Sequence, residues 1–122
     1  MKKLFNCIIG IFFVAASLAQ QIAVDNTAAA SREKGSFDWT VFIRADDATL
    51  NSIDHVEYLL NPTFKSPQVT AGNRANNFAY SGKGWGEFEI KTKILFRDKK
   101  MPPMYITYWL KLQSKIQQRK TS

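Results

Sequence analysis

The sequence predicts an all-β domain, an antiparallel β-sandwich of about seven to eight strands. Three observations carry that expectation. From Glu87 to Phe96 the residues alternate, with Phe88, Ile90, Thr92, Ile94 and Phe96 on one face and Glu87, Glu89, Lys91 and Lys93 on the other. Period two over that length is the pattern of a strand with one buried and one wet face. Phe37 to Arg44 (FDWTVFIR) is dense in aromatic and β-branched residues, which suit a pleated surface. Turn residues recur about every ten positions, and no long helical period follows the N-terminal segment. That rhythm is immunoglobulin-like.

The chain has 122 residues, enough for one domain once its first segment is set aside. Met1-Lys2-Lys3 is a short positive region, Leu4 to Leu18 is almost unbroken apolar sequence, and Ser17-Leu18-Ala19 offers small residues where a signal peptidase reads. Residues 1–19 are therefore expected to be a secretory signal peptide, cleaved after Ala19 and meeting the membrane only in transit. A retained anchor is the alternative, but the run is short for a bilayer span and lacks a basic stop-transfer flank. The expected localisation is outside the cytoplasm of a bacterium, periplasmic or secreted. The only cysteine, Cys7, would leave with the signal. A domain of roughly 100 residues builds a sufficient core without a disulfide.

Residues 20–35 read as a linker or first edge strand: Ile22 to Val24 can open a strand, but Asn26 to Lys34 is small and polar. The domain itself is expected over residues 36–113. After Phe37–Arg44, Asp46-Asp47 signals a turn. Ile53 to Leu60 is the next strand, with Val56, Tyr58 and Leu60 on one face and His55 and Glu57 on the other. It stops at Asn61-Pro62, because proline donates no ladder hydrogen bond and restricts the residue before it. Gln68 to Ala75, with Gly72-Asn73, reads as a turn or hairpin tip. Phe78 to Tyr80 reads as a short strand, and Ser81-Gly82-Lys83-Gly84 as a flexible approach to Trp85. Asp98-Lys99-Lys100 and Pro102-Pro103 turn the chain into a last strand, Met104 to Leu112, with Ile106, Tyr108, Leu110 and Leu112 on one face. Residues 114–122 form a polar, basic tail.

The whole chain carries 17 basic and 10 acidic residues, and without Lys2 and Lys3 the net charge is +5. The positive residues are scattered, gathering only towards the tail at Lys111, Lys115, Arg119 and Lys120. This is a solvated face, and no nucleic-acid partner is expected. Catalysis has little to stand on. His55 is the only histidine and lies mid-strand, no His/Cys cluster has metal-ligand spacing, and the glycines around Trp85 lack the strand–loop–helix setting of a phosphate loop. No catalytic residue, metal or cofactor is expected. Aromatic residues on loops remain. Phe64 stands just past a strand end, and Trp85, between Gly84 and Gly86, stands just before a strand start. Loops at one end of a sandwich can converge on a cleft, and two facing rings with the Thr63 hydroxyl between them suit a flat, neutral amide. The same rings could instead cap the open end of the core.

Three blocks, in this order, resemble the YEATS domain family, and its prokaryotic branch in particular: Asp38–Arg44 (DWTVFIR), His55–Phe64 (HVEYLLNPTF) and Gly84–Phe88 (GWGEF). The resemblance covers roughly Phe37 to Leu112. It implies an immunoglobulin-like sandwich that binds acylated lysine, acetyl or crotonyl, in an open-ended aromatic channel. Carried onto this sequence, it implies that Phe64 and Trp85 sandwich the acyl amide and that Thr63 supplies a hydroxyl to it. It further implies that the backbone about Gly84 and Trp85 holds the acyl carbonyl, and that Phe42 and Phe88 line the channel more deeply. Asn61 stands where eukaryotic members commonly have histidine, and no acid stands in register near Thr107 to hold a basic tail. The expected partner is therefore an acylated lysine or similar acyl amide, on a protein or an envelope metabolite, rather than a histone. The alternative expectation is a structural or protein–protein interaction domain of the cell envelope, docking through its basic face with a vestigial cleft.

Overall fold

Trp39, Val41 and Ile43 alternate along one strand and Ile90, Thr92 and Ile94 along another, and the two rows face each other across a single core. In the computed structural model, which describes residues 21–112, seven strands build that core from two sheets. The elements in chain order are β1 (Ala23–Ala30), β2 (Phe37–Arg44), a short helix α1 (Asp47–Asn51), β3 (Ile53–Leu59), β4 (Gln68–Ala71), β5 (Tyr80–Gly84), β6 (Glu89–Phe96) and β7 (Met104–Trp109). One sheet has the order β1-β2-β5 and the other β4-β3-β6-β7, and every pairing is antiparallel. The fold is the immunoglobulin-like sandwich that the alternation predicts. The expected signal peptide (1–19) and basic tail (114–122) lie outside the described residues.

The strand faces follow the sequence pattern closely. Phe88, Ile90, Thr92, Ile94 and Phe96 are all buried, as are Val56, Tyr58 and Leu60. Asp46-Asp47 does more than turn the chain. The Asp46 carboxylate accepts from the Thr49 backbone N–H at 2.8 Å and so caps α1, and those bonds hold its carboxyl below the usual range.

One open alternative is resolved and two expectations are corrected. Of the two readings of residues 20–35, linker or first edge strand, the segment takes the second: β1 is a regular strand of eight residues at the edge of its sheet, paired with β2 along its whole length from Ala23↔Arg44 to Ala30↔Phe37. Its position is reinforced by Asn26, whose Oδ1 accepts from the Tyr108 hydroxyl at 2.5 Å and from the Lys111 backbone N–H at 3.1 Å. The hairpin tip at Gln68–Ala75 is a strand, β4, followed by a 3-10 turn at Arg74–Asn76.

The second correction concerns the approach to Trp85. Ser81-Gly82-Lys83-Gly84 is not flexible backbone but most of β5, laddered to β2 from Tyr80↔Val41 to Gly84↔Phe37. The short strand expected at Phe78 begins only at Tyr80. Asn77 and Phe78 instead take left-handed backbone angles, φ 60° and 56°, and the buried Tyr58 hydroxyl donates to the Phe78 carbonyl at 2.7 Å.

Candidate binding cleft

The β3–β4 connection closes on itself before it presents anything. Its base is the Leu60 N–H donating to the Pro67 carbonyl at 2.6 Å. Inside it, Asn61 organises a turn: its Oδ1 accepts from the Thr63 N–H at 3.0 Å and its carbonyl accepts from the Phe64 N–H at 3.0 Å. That turn spends the Asn61 side-chain oxygen and leaves the two amide N–H donors for another partner. It also tips the Phe64 ring inward. Phe64 meets Trp39 edge to face, with ring centroids 6.2 Å apart and planes at 89°, and lies 5.3 Å from Phe88. The contact geometry is that of a favourable aromatic cluster.

Trp85 comes from the other side. It follows the last residue of β5 and precedes the crossing to β6, so the chain passes from one sheet to the other beneath it. Its ring is 83% exposed, the most exposed large apolar side chain among the described residues, and its ring contacts there include neither Phe64 nor Phe88. Between the two loops opens a cleft of about 430 Å³. Six of the seven residues expected at the site line it: Asn61, Thr63, Phe64, Gly84, Trp85 and Phe88. Two charged residues join them, Lys83 and Glu87. The Glu87 carboxylate is already engaged, accepting from the Trp109 indole N–H at 3.1 Å and from the Leu112 backbone N–H at 2.8 Å.

Phe42 is the exception. It lies on the face of β2 opposite Trp39, Val41 and Ile43, beside the pairing with Asp25 of β1, and does not line the cleft. The inward position belongs to Trp39. Its indole is buried and packs against Phe64, Tyr80 and Phe88 with centroids 5.9–6.2 Å away. Its Nε1–H has no acceptor among the described residues and lies beneath Gly84, where an added Cβ would stand 3.9 Å away. The signal for Trp39 was present in the period of two, which puts 39, 41 and 43 on one face and 42 on the other. His55 is placed apart, on the outer face of β3, its ring between Asp54 (2.7 Å) and Glu57 (3.3 Å).

The cleft can therefore offer a fixed aromatic wall, an open aromatic wall and polar groups at its mouth. Residues 37–105 match the prokaryotic YEATS domain family. Over 56 residues the chain is 36% identical to transcription initiation factor TFIID subunit 14 of Schizosaccharomyces pombe, covering 46% of this chain and 22% of that protein. The chain thus spans about a fifth of that relative's length. Among solved structures, the Yaf9 YEATS domain recognising a succinylated H3 peptide superposes with a TM-score of 0.65 at 24% identity, over 79% of this chain and 74% of that one. The yeast AF-9 homologue Yaf9 gives 0.62 at 23% identity, over 76% and 72%. The Yaf9 YEATS domain bound to acetylated H3 gives 0.58 at 20% identity, over 77% and 69%.

Proposed function

We propose that this chain, which belongs to the prokaryotic YEATS domain family, is a non-enzymatic binding module that holds an acylated lysine or similar acyl amide between Phe64 and Trp85. One observation carries the reading. Two aromatic side chains, one from the β3–β4 loop and one from the β5–β6 crossing between the sheets, line a single cleft, and one of them, Trp85, is left almost wholly in water. A flat, neutral amide fits between such walls because its faces are polarisable and its edges need only a few hydrogen bonds. Those can come from Thr63, from the Asn61 amide and from the backbone around Gly84 and Trp85. The relatives solved with acetylated and succinylated H3 peptides support this class of ligand. A histone is not part of the proposal, since the chain is itself basic. Its place is outside the cytoplasm, a reading that rests on the pattern of residues 1–19 and is checked by finding a mature N-terminus at Gln20 in an exported fraction.

The test is an NMR titration of residues 20–122 with acetyl-lysine, crotonyl-lysine and unmodified lysine peptides. Trp85 and the Asn61–Phe64 loop shift with the two acylated ligands and not with the third. Trp85→Ala abolishes those shifts and leaves stability within about 0.5 kcal/mol, because so exposed a ring contributes little to the core. Silence with all three ligands overturns the proposal, and so does a Trp85→Ala variant that binds normally.

A further inference from the structure

The outer face of the four-stranded sheet is not the uniformly polar surface expected of a wet strand face. Across β3, β6 and β7 the cross-strand rows read Leu59–Lys91–Thr107 and Glu57–Lys93–Tyr105. These side chains surround a groove of about 320 Å³. Leu59 is 43% exposed and Tyr105 is 70% exposed, and Trp109 continues the exposed apolar surface along β7. Exposed apolar side chains gathered among charges mark a contact surface.

Charge and position say what it contacts. Neither Lys91 nor Lys93 has a carboxylate within 4.0 Å among the described residues, and the Lys93 ammonium stands 6.0 Å from the Tyr105 ring centroid. Glu57, in the same groove, is turned to His55 at 3.3 Å. The groove and the cleft are separate but lie along one strand face, where Glu87 at the cleft is followed by Glu89 and then by Lys91 and Lys93 of the groove. Glu87 lines the cleft and accepts from the Trp109 indole, and Thr107 lies two residues from Trp109 on the same face, about 7 Å along the strand. Lys91 and Lys93 lie four and six residues beyond Glu87, about 13 Å and 20 Å along the strand, so roughly four to six residues of an extended chain separate an acyl-lysine in the cleft from them.

We propose that the face formed by Leu59, Lys91, Lys93, Tyr105 and Thr107 holds an acidic peptide segment flanking the acyl-lysine. Carboxylates four to six residues from the acylated position meet the two free ammonium groups, and an apolar side chain among them lies on Leu59 and Tyr105. This deepens the acyl-amide reading of the cleft and rests on it. It assigns sequence selectivity to a surface separate from the aromatic walls.

The two readings separate in one experiment. The ligands are free acetyl-lysine amide and three acetyl-lysine peptides whose flanking positions are acidic, basic or serine. Binding is followed by NMR at the Trp85 and Trp109 indole N–H groups and at the Lys91, Lys93 and Tyr105 amides. The acidic peptide binds about threefold to tenfold more tightly than the basic one at low salt, it alone shifts the outer-face amides, and raising the salt closes the gap. A variant with Lys91→Ala and Lys93→Ala loses the preference while keeping its affinity for free acetyl-lysine amide. Equal affinities for the acidic and basic peptides, or the reverse order, overturn the inference and leave the cleft reading intact. Attachment to anionic vesicles without discrimination among the peptides also overturns it, assigning the face to a lipid surface. If free acetyl-lysine amide does not bind, the cleft reading fails and this one fails with it.

Discussion

Among the described glycines, Gly82→Ala should be the most damaging addition of a methyl group. Gly82 pairs with Trp39 across the β2–β5 ladder, and the Trp39 indole occupies the space a side chain at 82 would need. A Cβ there would stand 2.4 Å from Cζ2 and 2.7 Å from Cη2, so the ring must retreat by about 1 Å to reach ordinary contact. A rigid indole cannot yield by rotating a flexible end. It is backed by Phe64, Tyr80 and Phe88, so the displacement passes into the fixed wall of the cleft. Overpacking of this kind costs about 1–3 kcal/mol, and the rigidity of the ring argues for the upper half of that range. For a domain of this size 2 kcal/mol lowers Tm by roughly 10 °C. Gly72→Ala is the control, since nothing lies within 4 Å of its added Cβ, and it should change stability by no more than about 0.5 kcal/mol. Urea unfolding followed by circular dichroism measures both variants, and an acetyl-lysine titration of Gly82→Ala under native conditions reads the damage to the cleft. A Gly82→Ala variant within 0.5 kcal/mol of the parent would refute the reasoning that Trp39 is immovably seated.

Three further outcomes follow from single contacts. Phe64→Ala removes a half-buried ring from Trp39 and Phe88 and should cost about 1.5–2.5 kcal/mol in denaturant unfolding while abolishing ligand shifts, so it differs from Trp85→Ala, which spares stability. Tyr58→Phe leaves the Phe78 carbonyl without its buried donor and should cost about 1–2 kcal/mol, with no effect on binding. His55 carries a pH dependence. Its hydrogen bond to Asp54, with a smaller one to Glu57, raises its folded pKa above 6.5 despite partial burial. That stabilisation is full below pH 6.5 and is lost as pH rises through the folded value, so Tm falls across that window and His55→Gln flattens the fall. The Asp54 carboxyl, lowered by the same hydrogen bond, acts in the opposite sense, its contribution fading as pH drops below the ordinary 3.8. A Tm profile identical in parent and His55→Gln would refute the assignment.

Where the two faces of a strand differ in chemistry, the sequence was enough. Phe88 to Phe96 and Phe37 to Arg44 announce their pleat because every inward side chain but Thr92 is apolar and every outward one but Phe42 and Leu95 is polar. Where side chains are small, the pattern has no amplitude to read. Asn26-Thr27-Ala28-Ala29-Ala30 is a strand only because β2 offers it a partner, and Ser81-Gly82-Lys83-Gly84 is a strand because Trp39 fills the place of the missing side chain at 82. Both causes are tertiary. The cleft was legible through Asn61-Pro62-Thr63-Phe64 and Gly84-Trp85-Gly86, whose residue types impose loops. Its depth was not. Phe42 and Trp39 are both aromatic and three positions apart, and only consistent use of the alternation along β2 separates the buried ring from the outward one.

The two walls of the cleft are held by opposite means, and the difference sets what a ligand must supply. Phe64 is fixed on every side, by the Leu60–Pro67 closure, by the Asn61 turn and by the Trp39 and Phe88 rings. Trp85 has a fixed backbone and a free ring. Gly84 before it ends the ladder to β2, and Glu87 after it is tied to Trp109 and Leu112, so little of the loop remains to be ordered. Freezing the ring costs about 0.5–1.5 kcal/mol. Covering about 50 Å² of its face returns about 1.3 kcal/mol, so ordering and burial of Trp85 nearly cancel. The stacking geometry adds about 1 kcal/mol and each amide hydrogen bond a similar net amount. On the proposed reading an isolated acyl-lysine is therefore expected to bind weakly, and tight binding to require contacts beyond the two rings. Trp109, exposed on β7 and joined through its indole to Glu87 at the cleft edge, opens one surface that could supply them.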